Sequence, residues 1–161
     1  MRLELGAGEH PLPGYEHLDK RPLDHIEYVA DARHLPFDDN TIDEMAAYNL
    51  LEHFPRAEVV PVLREWLRAL KPGGFLFVYG PNLHGYARAY VEGRPGWDFR
   101  RFEMWVYGKQ EHPDDFHLVG FSLETLTAAL LEAGFARVEP ISGPEDEVIC
   151  LRAYKGGGPG A

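Results

Sequence analysis

The stretch that decides the fold is Arg2-Leu3-Glu4-Leu5-Gly6-Ala7-Gly8, a short apolar strand that runs into a Gly-x-Gly turn near the start of the chain. Glycines at the end of a strand allow the backbone to approach a ligand where a Cβ would collide with it. The segment therefore predicts a ligand site at the carboxyl end of a strand.

The residues after this turn argue against a dinucleotide site. A dinucleotide pattern needs a third Gly or Ala that opens a helix, and an acid about 20 residues further on. This chain has Pro11 at the third position, and its next acid at a strand end, Asp19, comes much sooner. A nicotinamide oxidoreductase is thus the less favoured interpretation.

Carboxylates accompany the first three predicted strands. Glu4 lies in the first strand, Asp19 closes the second and Asp31 closes the third. A carboxylate accepts hydrogen bonds from ribose hydroxyls or an exocyclic amine, whereas it repels phosphate. The pattern favours a cationic nucleoside without phosphate, and S-adenosylmethionine is such a ligand.

Four segments in this order and spacing make the chain resemble the class I S-adenosylmethionine-dependent methyltransferases. They are ELGAG (4–8), DARHLPF (31–37), NLLEHF (49–54) and LKPGG (70–74). More narrowly, PLPGY (11–15), YGKQ (107–110), His117 and Gly120-Phe121 resemble a small, little-characterised bacterial group of predicted methyltransferases. The resemblance runs over roughly residues 3–155 and implies the fold and cofactor more directly than the substrate.

The resemblance implies a cofactor site in which the glycine turn meets the methionyl and ribose portions. Asp19 would accept the ribose hydroxyls, and Asp31 the adenine amine. Simpler roles stay open, namely a surface pair between Asp19 and Lys20, and an Asp31 that caps the following turn. The predicted cofactor residues are Glu4, Gly6, Ala7, Gly8, Asp19, Asp31, Ala32, Leu35 and Asn49.

Catalysis of methyl transfer depends mainly on positioning and desolvation, because the cofactor itself supplies the electrophile. A base is needed only if the acceptor must lose a proton, and the candidates at the mouth of the site are His53, Asn82 and His117. Plain structural roles stay open, such as anchoring a loop for His53 and capping a helix for His117. No histidine pairs with an acid at metal-ligand spacing along a helix, so no metal site is predicted.

Length and composition set the broad class. The chain has 161 residues, 45% of them hydrophobic, which suits one buried domain over 1–155, followed by a flexible glycine-rich tail at 156–161. Neither a signal-peptide pattern nor an apolar run long enough to span a bilayer is present, so we expect a cytoplasmic protein. The net charge of -10 disfavours a nucleic-acid partner.

Alternating strand and helix patterns predict an α/β fold: a Rossmann-like, doubly wound, mainly parallel sheet of seven strands. It should lack an N-terminal helix, and its first crossover should be shortened because Pro11, Pro13 and Gly14 exclude a regular helix there. Helices are expected over 56–70 and between Ser122 and Gly134. The predicted strands are 2–5, 15–18, 27–30, 42–48, 75–79, 135–141 and 147–154.

Residues 84–117 form an aromatic-rich cap or insertion outside the predicted sheet. Three interpretations stay open and can coexist: a cap that doubles as a wall of the substrate pocket, a homodimer surface, and ordinary core filling.

The sequence as a whole predicts an S-adenosylmethionine-dependent methyltransferase that acts on a small-molecule or sugar-like acceptor, without a nucleic-acid or membrane partner. The alternative is a non-catalytic module that binds S-adenosylmethionine or S-adenosylhomocysteine and acts through a protein partner.

Overall fold

The computed structural model describes residues 1–157, which form one seven-stranded sheet with flanking helices. The strands are β1 (Arg2–Leu5), β2 (Glu16–Asp19), β3 (Tyr28–Val29), β4 (Ile42–Tyr48), β5 (Leu70–Pro81), β6 (Arg137–Pro140) and β7 (Val148–Tyr154). The helices are α1 (Val59–Ala69), α2 (Leu83–Val91), α3 (Phe99–Tyr107) and α4 (Leu123–Ala133), and Leu51–His53 form a 3-10 turn. Six predicted strands agree closely, whereas β5 begins five residues before the expected residue 75.

The strand order is β3-β2-β1-β4-β5-β7-β6, and β7 alone runs antiparallel to its neighbours. Strands β2 and β3 lie on one side of β1, and strands β4 to β7 lie on its other side. The order therefore reverses between β1 and β4, where open α/β sheets bind their ligands. The predicted Rossmann-like, mainly parallel seven-stranded sheet is confirmed.

The connection from β1 to β2 is as short as the sequence predicts. Residues 6–15 cross between two parallel strands without a helix, although such crossovers usually need a dozen residues or more. The buried carboxylate of Glu4 accepts a hydrogen bond of 2.7 Å from the N–H of Leu12 and so holds this loop against the sheet.

One face of the sheet carries the main core. Because side chains alternate along a strand, the buried Leu3, Met45 and Leu76 lie on the face that α1 and α4 cover. The opposite face presents half-buried aromatic side chains, with the Tyr48 ring 5.4 Å from the rings of both Phe77 and Tyr79.

The two ends of α4 show why a helix forms there. Ser122 accepts a hydrogen bond from the N–H of Thr125, whose side chain in turn accepts one from the N–H of Ser122. Gly134 ends the helix in the left-handed conformation at φ 112°. Both predicted helix signals are confirmed.

The aromatic-rich segment folds into α2 and α3, which pack on each other around a small second core of Tyr86, Ala89 and Trp97. It also leaves large apolar side chains exposed, among them Val91 and Phe99 at 81% and 61%. Core filling therefore accounts for part of this segment, and a homodimer surface stays a prediction.

The last strand ends at Tyr154, and the predicted tail 156–161 follows it. Residues 158–161 of that tail lie outside the described range. Within residues 1–157, none of the helices combines the length and the apolar character needed to cross a bilayer.

Candidate functional site

A cavity of about 550 Å³ lies at the carboxyl ends of β1 to β4, beside the point where the strand order reverses. This volume is within the range of small-molecule sites, about 300–1,000 Å³. The lining includes seven of the residues predicted from sequence: Gly6, Gly8, Asp19, Asp31, Ala32, Asn49 and His53. The structure thus brings together residues from four different strand ends.

The glycine turn forms the floor of the cavity. Gly6 and Gly8 have φ values of 65° and 59°, a left-handed conformation that side-chain-bearing residues rarely adopt. The N–H groups of Gly6 and Ala7 donate to the carbonyl of Leu18 at 2.8 and 3.2 Å. A Cβ on Gly6 would lie only 2.8 Å from Leu50 Cδ1, so an alanine at this position would have to displace the Leu50 side chain. Ala7 is buried and is not part of the lining.

Asp19 is the most constrained acid of the site, with 6% of its surface exposed. Its carboxylate accepts hydrogen bonds of 2.9 Å from the N–H groups of Gly8 and Arg21, and one of 3.2 Å from Arg21 Nε. Burial works against ionisation, but these hydrogen bonds outweigh it and lower the pKa of Asp19. The surface pair expected with Lys20 is not formed, because Lys20 contacts Asp114 instead.

The third acid, Asp31, is exposed at the rim of the cavity. It accepts a 2.9 Å hydrogen bond from the N–H of Arg33 and pairs with the Arg33 guanidinium at 3.1 Å, so it also caps the turn that follows. Ala32 is held by Trp66, whose Nε1–H donates to the Ala32 carbonyl at 2.8 Å. Leu35 packs in the main core and does not line the cavity.

Glu4 lies beneath the cavity and is not part of its lining. It is 3% exposed, and its carboxylate faces the N–H of Leu12 and, at 3.7 Å, Nε2 of His17. Burial raises the pKa of Glu4, and the Leu12 hydrogen bond offsets part of that effect. These contacts make Glu4 a support of the loop after the glycine turn.

The loop after α3 forms the outer wall of the cavity. Pro113, Asp114, Asp115, Phe116 and Leu118 all line it, which fits the predicted role of the aromatic-rich segment as a pocket wall. An ion pair between Asp114 and Lys20 joins this wall to the end of β2. No spacing pattern in the sequence marks that pair, because its two residues meet only in the folded chain.

The remaining predicted residues differ in placement. Asn49 lines the cavity with φ 46°, and its N–H donates to the carbonyl of Tyr79 at 2.8 Å. Asn82 is fully buried outside the lining, and its side-chain amide donates to the carbonyls of Pro144 and Asp146 at 3.0 and 2.7 Å. These contacts assign Asn82 to holding the loop before β7.

His53 and His117 lie together with Glu52 on the side of the cavity where His53 contributes to the lining. The two imidazole rings are 5.1 Å apart. Burial raises the pKa of the Glu52 carboxyl to about 7 and lowers the pKa of His117. The sequence pattern did not single out Glu52, since nothing local shows that an acid at this position becomes buried.

Comparison with known proteins finds that the chain is similar in sequence to methyltransferases. Residues 15–78 match a family described as a methyltransferase domain. The chain is 31% identical over 120 residues to a ubiquinone/menaquinone biosynthesis C-methyltransferase of Chromobacterium violaceum, a match that covers 69% of this chain and 46% of that protein. It is 30% identical over 145 residues to a demethylmenaquinone methyltransferase of Listeria monocytogenes, covering 80% and 56%. The chain therefore spans about half the length of these relatives.

Solved structures share the fold. An S-adenosylmethionine-dependent methyltransferase of Thermotoga maritima, described as a possible histamine N-methyltransferase, superposes with a TM-score of 0.64 at 17% identity. The match covers 96% of this chain and 81% of that one. At this identity the likeness establishes the fold alone, a Rossmann-like sheet.

Replacement of Gly6 by Ala tests the close approach at the floor of the cavity. Gly93→Ala is the matched control, because Gly93 has nearly the same φ, 64°, but no atom within 4 Å of the position of its Cβ. The control should lose about 1–2 kcal/mol of unfolding free energy through backbone strain alone. Gly6→Ala should lose more, because it adds the collision with Leu50, and urea denaturation measures both. Equal losses would contradict this account.

The buried carboxyl of Glu52 predicts a pH-dependent stability. Its pKa of about 7 in the folded chain exceeds the ordinary value of 4.5, so its contribution is present below pH 4.5 and is lost as the pH rises through 7. The difference corresponds to about 3 kcal/mol. Urea denaturation, with a chelator present to remove metal ions, should find Glu52→Gln more stable than the unmodified chain at pH 8. At pH 4.5 the two unfolding free energies should be nearly equal. If the unfolding free energies of the two proteins changed with pH in parallel, Glu52 would not be the source of the pH dependence.

Proposed function

We propose that the chain, which is similar in sequence and in fold to methyltransferases, is a class I S-adenosylmethionine-dependent methyltransferase that transfers a methyl group from S-adenosylmethionine to a small-molecule or sugar-like acceptor. The observation that supports this most strongly is the convergence of the glycine turn, Asp19, Asp31 and Asn49 on one cavity at the switch point of the sheet.

The cavity fits a cationic nucleoside better than a phosphate ligand. Three basic residues line it, Lys20, Arg21 and Arg33, but each is paired with a carboxylate. The positive charge of the lining is thus already balanced by carboxylates that include Asp19 and Asp31, and the remaining lone pairs of these two acids can still accept hydrogen bonds. The Arg21 side chain is 44% exposed, so its guanidinium can stay in water when ribose hydroxyls replace its contact with Asp19.

The bound cofactor supplies the electrophilic methyl group, and the chain supplies position and exclusion of water. Asp19 would hold the ribose, Asp31 and the N–H of Ala32 the adenine, and the backbone near Asn49 the methionyl end. Asn49 is already fixed by its hydrogen bond to Tyr79, so the methionyl side of the cavity is preorganised.

Of the three catalytic candidates, His53 is the one that lines the cavity. Its Nδ1 lies 3.0 Å from the carbonyl of Phe116, which can only accept, so in the neutral imidazole Nδ1 carries the proton and Nε2 has the lone pair. That lone pair can serve an acceptor by taking its proton or by holding an ion that binds the acceptor.

A small acceptor agrees with the walls of the cavity and with the charge of the chain. The net charge of -10 opposes binding to a nucleic acid, and Asp114 and Asp115 add negative charge at the cavity. Phe116 and Leu118 bring apolar surface to the same wall. One of the two related proteins is named for ubiquinone and menaquinone biosynthesis and the other for demethylmenaquinone, so quinone-like ring compounds belong in an acceptor screen beside sugars.

Calorimetry on the purified chain tests the cofactor assignment. S-adenosylmethionine and S-adenosylhomocysteine should bind, and NAD should not. Asp19→Asn and Asp31→Asn each weaken a charge-assisted hydrogen bond and should reduce affinity by about 10- to 150-fold, which corresponds to roughly 1.5–3 kcal/mol. Asp38→Asn, at an exposed position outside the lining, is the control and should bind normally. Unchanged affinity in both site variants, or a preference for NAD, would overturn the assignment.

A screen with S-adenosylmethionine labelled in its methyl group tests the transfer itself. Incubation with sugars, phenols and other small hydroxyl or amine compounds should label at least one class, and Asp19→Asn should remove the label. Cofactor binding without transfer to any acceptor would favour the non-catalytic binding module instead.

A further inference from the structure

Glu52, His53 and His117 form a cluster that the cofactor site does not use. One potential ligand atom from each of the three lies within 4.8 Å of the other two. Glu52 and His53 are neighbours in the 3-10 turn after β4, whereas His117 follows α3, more than 60 residues later. The cluster adjoins the cavity through His53.

Both imidazoles make the hydrogen bond through Nδ1 that a metal-binding histidine makes with its second nitrogen. Nδ1 of His53 lies 3.0 Å from the carbonyl of Phe116, and Nδ1 of His117 lies 2.9 Å from the carbonyl of Trp105. Because a carbonyl only accepts, in each neutral imidazole Nδ1 carries the proton and Nε2 has the lone pair. Histidine ligands usually donate their second N–H to a backbone carbonyl or carboxylate in this manner.

Glu52 lacks the partner that a buried acid needs. It is 3% exposed, and its Oε1 has no hydrogen-bond partner among residues 1–157. No lysine or arginine in that range forms an ion pair with it. Buried carboxylates are normally paired or bound to a metal, so the missing partner points to a cation from outside the chain.

We propose that Glu52, His53 and His117 bind a divalent transition-metal ion beside the cofactor cavity. Two imidazole nitrogens and one carboxylate oxygen are a donor set that catalytic zinc sites use, with a fourth position left open. Nitrogen donors favour zinc or a similar ion over magnesium and calcium, which prefer oxygen. Metal–ligand bonds of about 2.0–2.2 Å require the three side chains to draw together by roughly 1–1.5 Å.

The position of the ion narrows the class of acceptor, and this step rests on the proposed function. Since His53 lines the cavity, an open coordination position would face the space next to the cofactor. A metal ion in that place binds the hydroxyl oxygen of the acceptor and lowers its pKa, so that the hydroxyl proton passes to solvent water. The O–CH3 bond then forms as the S–CH3 bond of the cofactor breaks, which leaves S-adenosylhomocysteine. A hydroxyl-bearing acceptor is therefore the class that the site selects, and His53 then holds the ion instead of taking the proton.

Metal titration tests the site without the cofactor. The chain is stripped with a chelator and titrated calorimetrically with zinc chloride, and separately with magnesium chloride. One zinc ion should bind per chain and raise the melting temperature, and magnesium should bind at least tenfold more weakly. Bound Co²⁺ gives a visible absorption band that reports nitrogen ligation and serves as a second readout.

Variants locate the ion. Glu52→Gln and His117→Ala should each weaken zinc binding at least tenfold, and they should alter the Co²⁺ band. His84→Ala, which removes an exposed histidine of α2, should change neither. Glu52→Gln removes a buried charge, so it should fold and keep the test decisive.

Two results would overturn the proposal: no stoichiometric zinc binding by the unmodified chain, or equal zinc affinity in all three variants. Since these titrations contain no S-adenosylmethionine, their failure leaves the methyltransferase proposal standing. Conversely, a chain that binds zinc but not S-adenosylmethionine would keep the metal site and refute the cofactor assignment.

Discussion

The bond from the Gly8 N–H to the carboxylate of Asp19 is the link on which the site depends. It closes a crossover too short for a helix, together with the N–H groups of Gly6 and Ala7 that donate to Leu18. The hydrogen bonds from Arg21, with a smaller effect from this bond, offset the burial of the Asp19 charge, which would otherwise oppose folding. The Gly8 contact thus joins the first two strands and helps to keep an ionised acid at the floor of the cavity.

The loop after β3, which carries Asp31, is held in place by contacts from outside the sheet. Strand β3 has only two residues, too few to fix the loop that follows it. Helix α1 does this instead, because Trp66 donates to the carbonyl of Ala32 and Glu58 pairs with Arg33. The helix is packed against the main core. Because that core is closely packed, it restricts the movement of the loop that forms the adenine side of the predicted site.

The loop after α3 makes the wall of the cavity and also buries Glu52. The N–H of Leu118 donates to the carbonyl of Glu52 at 2.7 Å, which draws the loop across the 3-10 turn. Gly108 permits the return of the chain, since a Cβ there would overlap the carbonyl of Asp115. The hydrogen bond between Leu118 and Glu52 therefore positions the wall of the cavity and covers the buried acid at the same time. Through it, the cavity and the histidine cluster share one loop.

The sequence by itself determined the seven strands, the two main helices and the glycine turn. These follow from local rules: apolar alternation along strands, the capping pair of Ser122 and Thr125, and prolines that exclude a helix from the first crossover. Only the tertiary structure decided that Glu4 and Asn82 support loops, that Arg21 pairs with Asp19, and that Glu52 meets His117. A residue's type and spacing indicate what it can bond, but burial and long-range contacts, which form when the loops close on the sheet, fix which bonds it makes.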